Sequence, residues 1–508
     1  LKRSRSGQAG LAILLLAAGM TVGDWLPAPR AEAVPGTIAR EVRIDAGTLR
    51  AGTPLRAAGD QGLRALDAGL TPSAPVVVCA PIRFTAVGLT WDQPSGHTPH
   101  VLLQAGDDAT TFRRVMELHD AEGPDPGTAD ARGARRATDP IWVHDARCIR
   151  IRLAIPAGVT LSNLRAMFVN TSGTAGVETP WHEISGTTEP SATDVAGATA
   201  NAPYWTTRAG WGADESLRNC GPSYAPALKM AFVHHTATEN TYAKSESDDI
   251  VRSVYYFHTE GRGWCDIAYN FLVDKYGKVF VGRFGGPAQP VIGAAQMGFN
   301  TGAASVATIG TYGATTPPAA MITSLKKILA WRLDVAHVPP KGWAWMVSGG
   351  GPNTKYPEGK GVTLHVISGH RDTGYTDCPG DLLYGQLGAL REGANAVGLP
   401  KMWRTKQSTD TITPGTDTVQ YTATGSESLL WTLTMASDAT GAPIQTWSAA
   451  GVTLNVVWDG MQGLFPAPEG AYTATLMAKN PSGGIARAAT FHLTVNPGGG
   501  VLPFPVAG

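Results

Sequence analysis

The chain has 508 residues, with 41 Lys plus Arg against 41 Asp plus Glu, and its formal net charge is zero. Charged residues make up 16% and hydrophobic residues 43%. This balance excludes a basic nucleic-acid-binding face, an acidic tail and disorder of the whole chain, and the length allows about two to four domains.

In chain order, Lys2, Arg3 and Arg5 precede the apolar run Leu11 to Val22, and Ala31-Glu32-Ala33 has the small-x-small form that a signal peptidase needs. Residues 1–33 are therefore expected to be a secretory signal cleaved after Ala33, leaving no stable membrane span; a short membrane anchor is the alternative. Exported chains pair their cysteines, and five cysteines leave one over. Cys79 and Cys148 lie at opposite ends of one strand-rich region, and Cys220 and Cys265 flank a second. Two bridges are expected, each inside its own domain, with Cys378 as the remainder.

Residues 34–175 read as an N-terminal β-sandwich: "VVVCAPIRFTAVGLTW", "HVLLQA", "PIWVHDARCIRIRLA" and "LRAMFVN" are strand-like, and Trp91 and Trp142 are expected in its core. Residues 176–203 are small and polar, and read as a linker. Residues 204–400 mix periods. "MAFVHHTA" and "YNFLVDKYGKVFVGR" predict strands, the second with a turn at Tyr276-Gly277. "SDDIVRSVYYFHTE" predicts a helix capped by Ser247, "AAMITSLKKILAWRLDVA" an amphipathic helix, and "DLLYGQLGALREGA" a third. An α/β domain follows, a mixed β-sheet with flanking helices. Residues 410–496 return to strands and read as an Ig-like β-sandwich, with a flexible Gly/Pro-rich tail at 497–508.

Catalytic zinc sites use three protein ligands and leave one position for water. The central region offers His234, His235, His258, His337, His365, His370 and Cys378. His234 and His235 are adjacent on a strand, so their side chains leave opposite faces and only one of them reaches a given metal. On its own, Cys378 stays open between a reactive thiol, an intermolecular half-bridge and a metal-held thiolate.

The run "RAGWGADES", "MAFVHHTAT", "GWCDIAYNFLVDKYGKVFVGR", "GFNTGAASVATIGTY" and "SGHRDTGYTDCPGDLLY" resembles the type 2 N-acetylmuramoyl-L-alanine amidases and peptidoglycan recognition proteins. The resemblance covers residues 206 to about 395, and the domain arrangement is similar to that of secreted actinobacterial members. It implies one Zn²⁺ ion held by His234, His370 and Cys378, with Tyr269 and Thr376 as catalytic residues. Zinc so held would activate a water and polarise the amide between N-acetylmuramic acid and L-alanine, while Tyr269 and Thr376 hold the developing oxyanion. A helix starting at Asp381 would favour the Cys378 thiolate through its dipole. The family's "GAHxxGxN" reads "GAAQMGFN" here, with Ala295 at the histidine position and Asn300 retained. His258, Trp264, Arg283 and Asn300 flank the groove and are candidates for substrate binding, with core packing as the competing role. The C-terminal strands resemble the Ig-like domain of flagellar-hook-capping proteins. The function implied is a zinc-dependent peptidoglycan hydrolase, secreted or in the cell wall, whose partner is the muramyl peptide. The rivals are a peptidoglycan-binding protein with little or no turnover and a Cys378 nucleophile working with His370.

Overall fold

The computed structural model describes residues 36–45, 73–92, 99–113, 115–118, 123–154, 161–173 and 202–497. The predicted signal, nearly all of the predicted linker and nearly all of the predicted tail lie outside them. All described residues belong to one compact unit, Gly36–Gly508.

The N-terminal region contributes β1 (Ile38–Arg43), β2 (Val76–Asp92), β3 (His100–Gly106), β4 (Met116–Leu118), β5 (Arg136–Ala137), β6 (Ile141–Ala154) and β7 (Ser162–Asn170). Two packed sheets are predicted here, but hydrogen bonding joins the strands into one seven-stranded sheet, ordered β1-β7-β2-β6-β3-β4 with β5 on β2. The long strand β2 is the reason, because it pairs with β5, β6 and β7 alike. Cys79 stands directly opposite Cys148 in the β2–β6 register, and the two form a disulfide.

The β2–β6 register shifts between Phe84 and Ala86. Side chains alternate along a strand, so such a bulge exchanges which parity faces which side. Ala80, Ile82 and Phe84 before it, and Val87, Leu89 and Trp91 after it, enter one core. Ala86 instead joins Trp142, Met167 and Val169 in a second core, shared with Trp211, Ile250, Val254 and Phe257 of the central region. Gly88 lies on that side, where an added Cβ would stand 2.3 Å from the Phe257 ring. Trp91 and Trp142 are both buried, as expected.

The central sheet runs β15-β9-β12-β10-β11-β8. Its strands are β8 (Trp205–Thr206), β9 (Met230–His235), β10 (Phe271–Val273), β11 (Val279–Val281), β12 (Ala303–Thr308) and β15 (Ile367–Gly369), and a separate hairpin pairs β13 (Trp343–Val347) with β14 (Gly361–His365). β15, β9, β12 and β10 are mutually parallel, while β11 is antiparallel to β10, so the sheet is mixed. Both faces are covered, which is why its strands are apolar almost throughout. Leu272, Phe280 and Ala307 face helix α1 (Ser247–Tyr256) and the N-terminal sheet. Phe271, Val279, Val281 and Val306 face Leu325, Ile328 and Leu329 of helix α2 (Ala319–Val335). Ser247 does not cap α1: it is the first residue of the helix, and its hydroxyl donates to Asp274 Oδ2 at 2.7 Å. The helix predicted after Pro379-Gly380 is two helices, α3 (Asp381–Tyr384) and α4 (Leu387–Ala396).

The C-terminal strands β16 (Met402–Gln407), β17 (Thr411–Ile412), β18 (Val419–Ser437), β19 (Pro443–Trp458), β20 (Gly470–Lys479) and β21 (Ala489–Val495) also form a single sheet, ordered β16-β18-β20-β21-β17 with β19 on β18. The predicted division into two sheets is absent from this pairing because β18, 19 residues long, bonds to three neighbours. Arg487 Nε donates to Asp334 Oδ2 of α2 at 3.0 Å, with both side chains buried, and ties this sheet to the central region.

The close seat of Phe257 over Gly88 makes a prediction. Gly88→Val forces the ring off the sheet and costs about 1–3 kcal/mol by overpacking. Phe257→Ala in the same chain recovers part of that loss, and denaturant unfolding of the two single variants and the double variant checks the coupling.

Candidate metal centre

Two parallel strands build the site. In the β9–β15 register Ala231 pairs with Ile367, Phe232 with Ser368 and Val233 with Gly369. The next residue on each strand is a histidine, so His234 and His370 meet at the carboxyl ends of neighbouring parallel strands, where open α/β sheets place their ligand sites. His234 Nδ1 lies 3.2 Å from His370 Nδ1. Cys378 Sγ lies 3.8 Å from His234 Nδ1. His234, His370 and Cys378 are all buried, and their donor atoms fall within 4.8 Å of one another.

Three electron-pair donors packed this closely repel one another unless protons or a cation lie between them. Burial pushes the His234 imidazole well below its usual range, with the His370 and His235 rings adding to the shift. Burial also pushes His370 down to about 3, helped by Lys355. Both rings are therefore neutral near pH 7, the state in which imidazole binds a metal. A tetrahedral zinc about 2.0 Å from nitrogen and about 2.3 Å from sulfur sets N–N and N–S ligand spacings of roughly 3.3 and 3.6 Å. The observed 3.2 and 3.8 Å fit that ion.

The sulfur is held by its own set of contacts. The His235 amide N–H donates to Cys378 Sγ at 3.3 Å, a donor aimed at thiolate charge. The Cys378 amide N–H donates to Thr376 Oγ1 at 3.1 Å, and the Arg371 amide N–H donates to Cys378 O at 2.9 Å, which folds the loop back on itself. Helix α3 has four residues, so its dipole is small and the local N–H of His235 is the better source of thiolate stabilisation. The His235 ring leaves by the opposite face, as alternation requires, and its Nδ1 accepts the Tyr312 amide N–H at 3.4 Å. Cys220 is bridged to Cys265, and Cys378 takes part in neither disulfide.

The Tyr269 ring centroid is 5.7 Å from that of His234 and 5.9 Å from that of His258. His258 lies behind it, fully buried on a π-helical turn (Phe257–Gly261), with Nδ1 accepting the Ala268 amide N–H at 3.2 Å and the Trp264 ring tilted against it at 4.8 Å. Trp264 also carries the Arg262 guanidinium at 4.5 Å, and Arg262 pairs with Asp139 of the N-terminal region at 2.7 Å. Arg283 is buried and paired with Asp130 of the same region. Asn300 is buried too: its Nδ2 donates to Asp125 Oδ1 at 2.8 Å and to Gly123 O at 3.0 Å. So the structure brings His234, His370 and Cys378 together, with Tyr269 and Thr376 beside them, while His258, Trp264, Arg283 and Asn300 are buried among partners within the fold. Gln296 was missed. Fully buried next to Ala295, it donates from Nε2 to His370 O at 3.2 Å and to Thr373 Oγ1. Its signal in the sequence was a polar residue inside the otherwise small and apolar "GAAQMGF".

The region that carries this geometry is similar to known proteins. Residues 224–381 match the family model described as N-acetylmuramoyl-L-alanine amidase. That span holds His234, Tyr269, His370, Thr376 and Cys378. Peptidoglycan-recognition protein SC2 of Drosophila simulans is 26% identical over 165 residues, 32% of this chain and 75% of that protein. Peptidoglycan recognition protein 1 of Bos taurus is 26% identical over 192 residues, 37% of this chain and 84% of that protein. Among solved structures, human PGRP-Iβ C in complex with glycosamyl muramyl pentapeptide is 25% identical, covers 37% of this chain and 95% of its own, and has a TM-score of 0.29. The family match and these relatives support a relationship of the central region to the amidases and peptidoglycan recognition proteins.

An added Cβ at Gly374 would stand 2.8 Å from His370 Cδ2 and 2.9 Å from its Nε2. Gly374→Ala therefore turns the imidazole out of the triad and lowers zinc affinity by roughly ten-fold or more, with thermal unfolding of the zinc-stripped protein little changed. Competition with a chromophoric chelator measures the affinity.

Proposed function

We propose that the protein is a secreted, zinc-dependent amidase that cleaves the bond between N-acetylmuramic acid and the L-alanine of the peptidoglycan stem. The observation that carries this reading is the donor set: two neutral imidazoles and one sulfur at the spacing of a tetrahedral ion, on a span that matches an amidase family model. Two disulfides fit an exported chain. Among the described residues no helix is long and apolar enough to cross a membrane. Relatives named for peptidoglycan recognition support the muramyl peptide as ligand.

A zinc ion held by His234, His370 and Cys378 supplies a water activated near neutral pH and a Lewis acid for the scissile carbonyl. The chain's own groups do the rest. The His235 N–H donates to the Cys378 sulfur, a contact that favours its anion. Thr376 Oγ1 accepts the Cys378 amide N–H, which leaves its own hydrogen to donate toward the developing oxyanion. Tyr269 stands against the His234 ring and is the second residue proposed to donate to that charge. Burial keeps both rings uncharged, the state in which each has a nitrogen lone pair for a metal.

The names of the relatives also suit a second role, binding the wall without cutting it. One experiment separates the two. The purified chain is expected to hold one zinc per molecule and to release stem peptides with new alanine amino termini from peptidoglycan. Chelation or Cys378→Ala is expected to abolish both. Wall binding without new amino termini decides for recognition, and full cleavage by Cys378→Ala overturns the ligand assignment. Thiol titration of the zinc-stripped, unreduced chain is expected to find one reactive cysteine, Cys378.

A further inference from the structure

The ligand His370 is braced by a chain of hydrogen bonds that begins outside the central region. Asp125 lies on the N-terminal loop after β4, is nine-tenths buried, and reaches across to residues 298–301. Its Oδ1 accepts the Gly298 amide N–H at 2.8 Å, the Asn300 amide N–H at 3.4 Å and Asn300 Nδ2 at 2.8 Å. Its Oδ2 accepts the Thr301 amide N–H and hydroxyl, each at 3.3 Å. Asn300 then turns its own Oδ1 to the Gln296 amide N–H at 2.8 Å, and the loop closes as the Phe299 amide N–H donates to Gln296 O at 2.7 Å. From that fixed backbone the Gln296 side chain donates to His370 O at 3.2 Å and to Thr373 Oγ1.

The amide is an expensive choice for this place. Gln296 is fully buried, and its Oε1 has no hydrogen-bond partner among the described residues. A methionine would fill a similar volume without burying an unpaired carbonyl. What methionine cannot do is donate two hydrogen bonds to the turn that carries His370. That turn spans His370–Asp372, and its Arg371 amide N–H donates to Cys378 O at 2.9 Å, so its placement bears on two of the three donors.

We propose that Gln296 and Asp125 are positioning residues for the metal centre: Gln296 fixes the turn that presents His370, and Asp125 of the N-terminal region fixes Gln296 through Asn300. The inference rests on the metal reading given above, and it makes the N-terminal region a working part of the site. Outer contacts of this kind set the orientation of a ligand and are worth about 10–100-fold in metal affinity.

The test uses the full chain as Gln296→Met, Asp125→Ala and the double variant. Zinc affinity is measured by chelator competition, and ligand geometry by the visible spectrum of the cobalt(II)-loaded protein. Gln296→Met is expected to weaken zinc binding about ten-fold or more and to alter the cobalt bands, while the melting temperature of the metal-free protein holds or rises. Asp125→Ala is expected to act in the same direction, and the double variant to be no weaker than Gln296→Met. If Asp125→Ala does not fold, Asp125→Asn takes its place; it keeps one acceptor oxygen, and a smaller loss of the same kind is expected. An unchanged affinity and cobalt spectrum in Gln296→Met overturns the proposal. Losses that multiply in the double variant overturn the part given to Asp125. A native chain that binds no zinc overturns the metal reading, and this inference falls with it; zinc binding by the native chain with unaltered variants sinks this inference alone.

Discussion

The parallel register of β9 against β15 is the constraint on which the site depends. Because Val233 pairs with Gly369, the next step along both strands sets His234 beside His370. A slip of one residue would turn one histidine to the opposite face and dissolve the pair. The register is secured by burial on both sides of the sheet, with Phe232 and Ile367 inside the core that α2 covers. The same strand end supplies the His235 N–H that meets Cys378. One short pairing of backbones therefore places both histidines and steadies the cysteine beside them.

Around that register the molecule shares its cores more than its sequence segments suggest. The N-terminal sheet turns Ala86, Trp142, Met167 and Val169 into the core that also holds Tyr269 and Trp264. Three aspartates of its loops, Asp125, Asp130 and Asp139, reach Asn300, Arg283 and Arg262. Each of these carboxylates is desolvated on docking and satisfied by donors of the central region, so removing a partner on either side leaves a buried group uncompensated.

The proposed triad was legible only through the family motifs: strand alternation says that one of His234 and His235 reaches a given metal without saying which, and cysteine arithmetic leaves Cys378 over without giving it a role. The central elements were legible in the residues themselves, since apolar periods of α1, α2 and the short strands declare themselves over a few turns. What the sequence hid depends on distant partners. Asn300 finds Asp125 from 175 residues away, and Arg283 finds Asp130 from 153 away. Those aspartates sit in "GPDPGTADARGA", a stretch with no period to mark its neighbours. The predicted division into two sheets is not what the pairing shows, for another reason: strand patterns count strands well, but not how many neighbours a strand as long as β2 or β18 will bond. Gly385-Gln386 broke a continuous helical pattern into α3 and α4 because helix periodicity tolerates such a pair on paper.

The buried pair of Arg487 with Asp334 has a consequence for reach. Between the end of α4 at Ala396 and the start of β16 at Met402 the chain has five residues, and the ion pair pins the far side of the joint. The C-terminal sheet is thus no tethered module searching a sphere around the cluster of His234, His370 and Cys378. The usual gain from a flexible link, a high effective concentration over many orientations, does not apply. Any surface this sheet meets is met at one fixed offset and angle from that cluster, so the joint behaves as a spacer of set length.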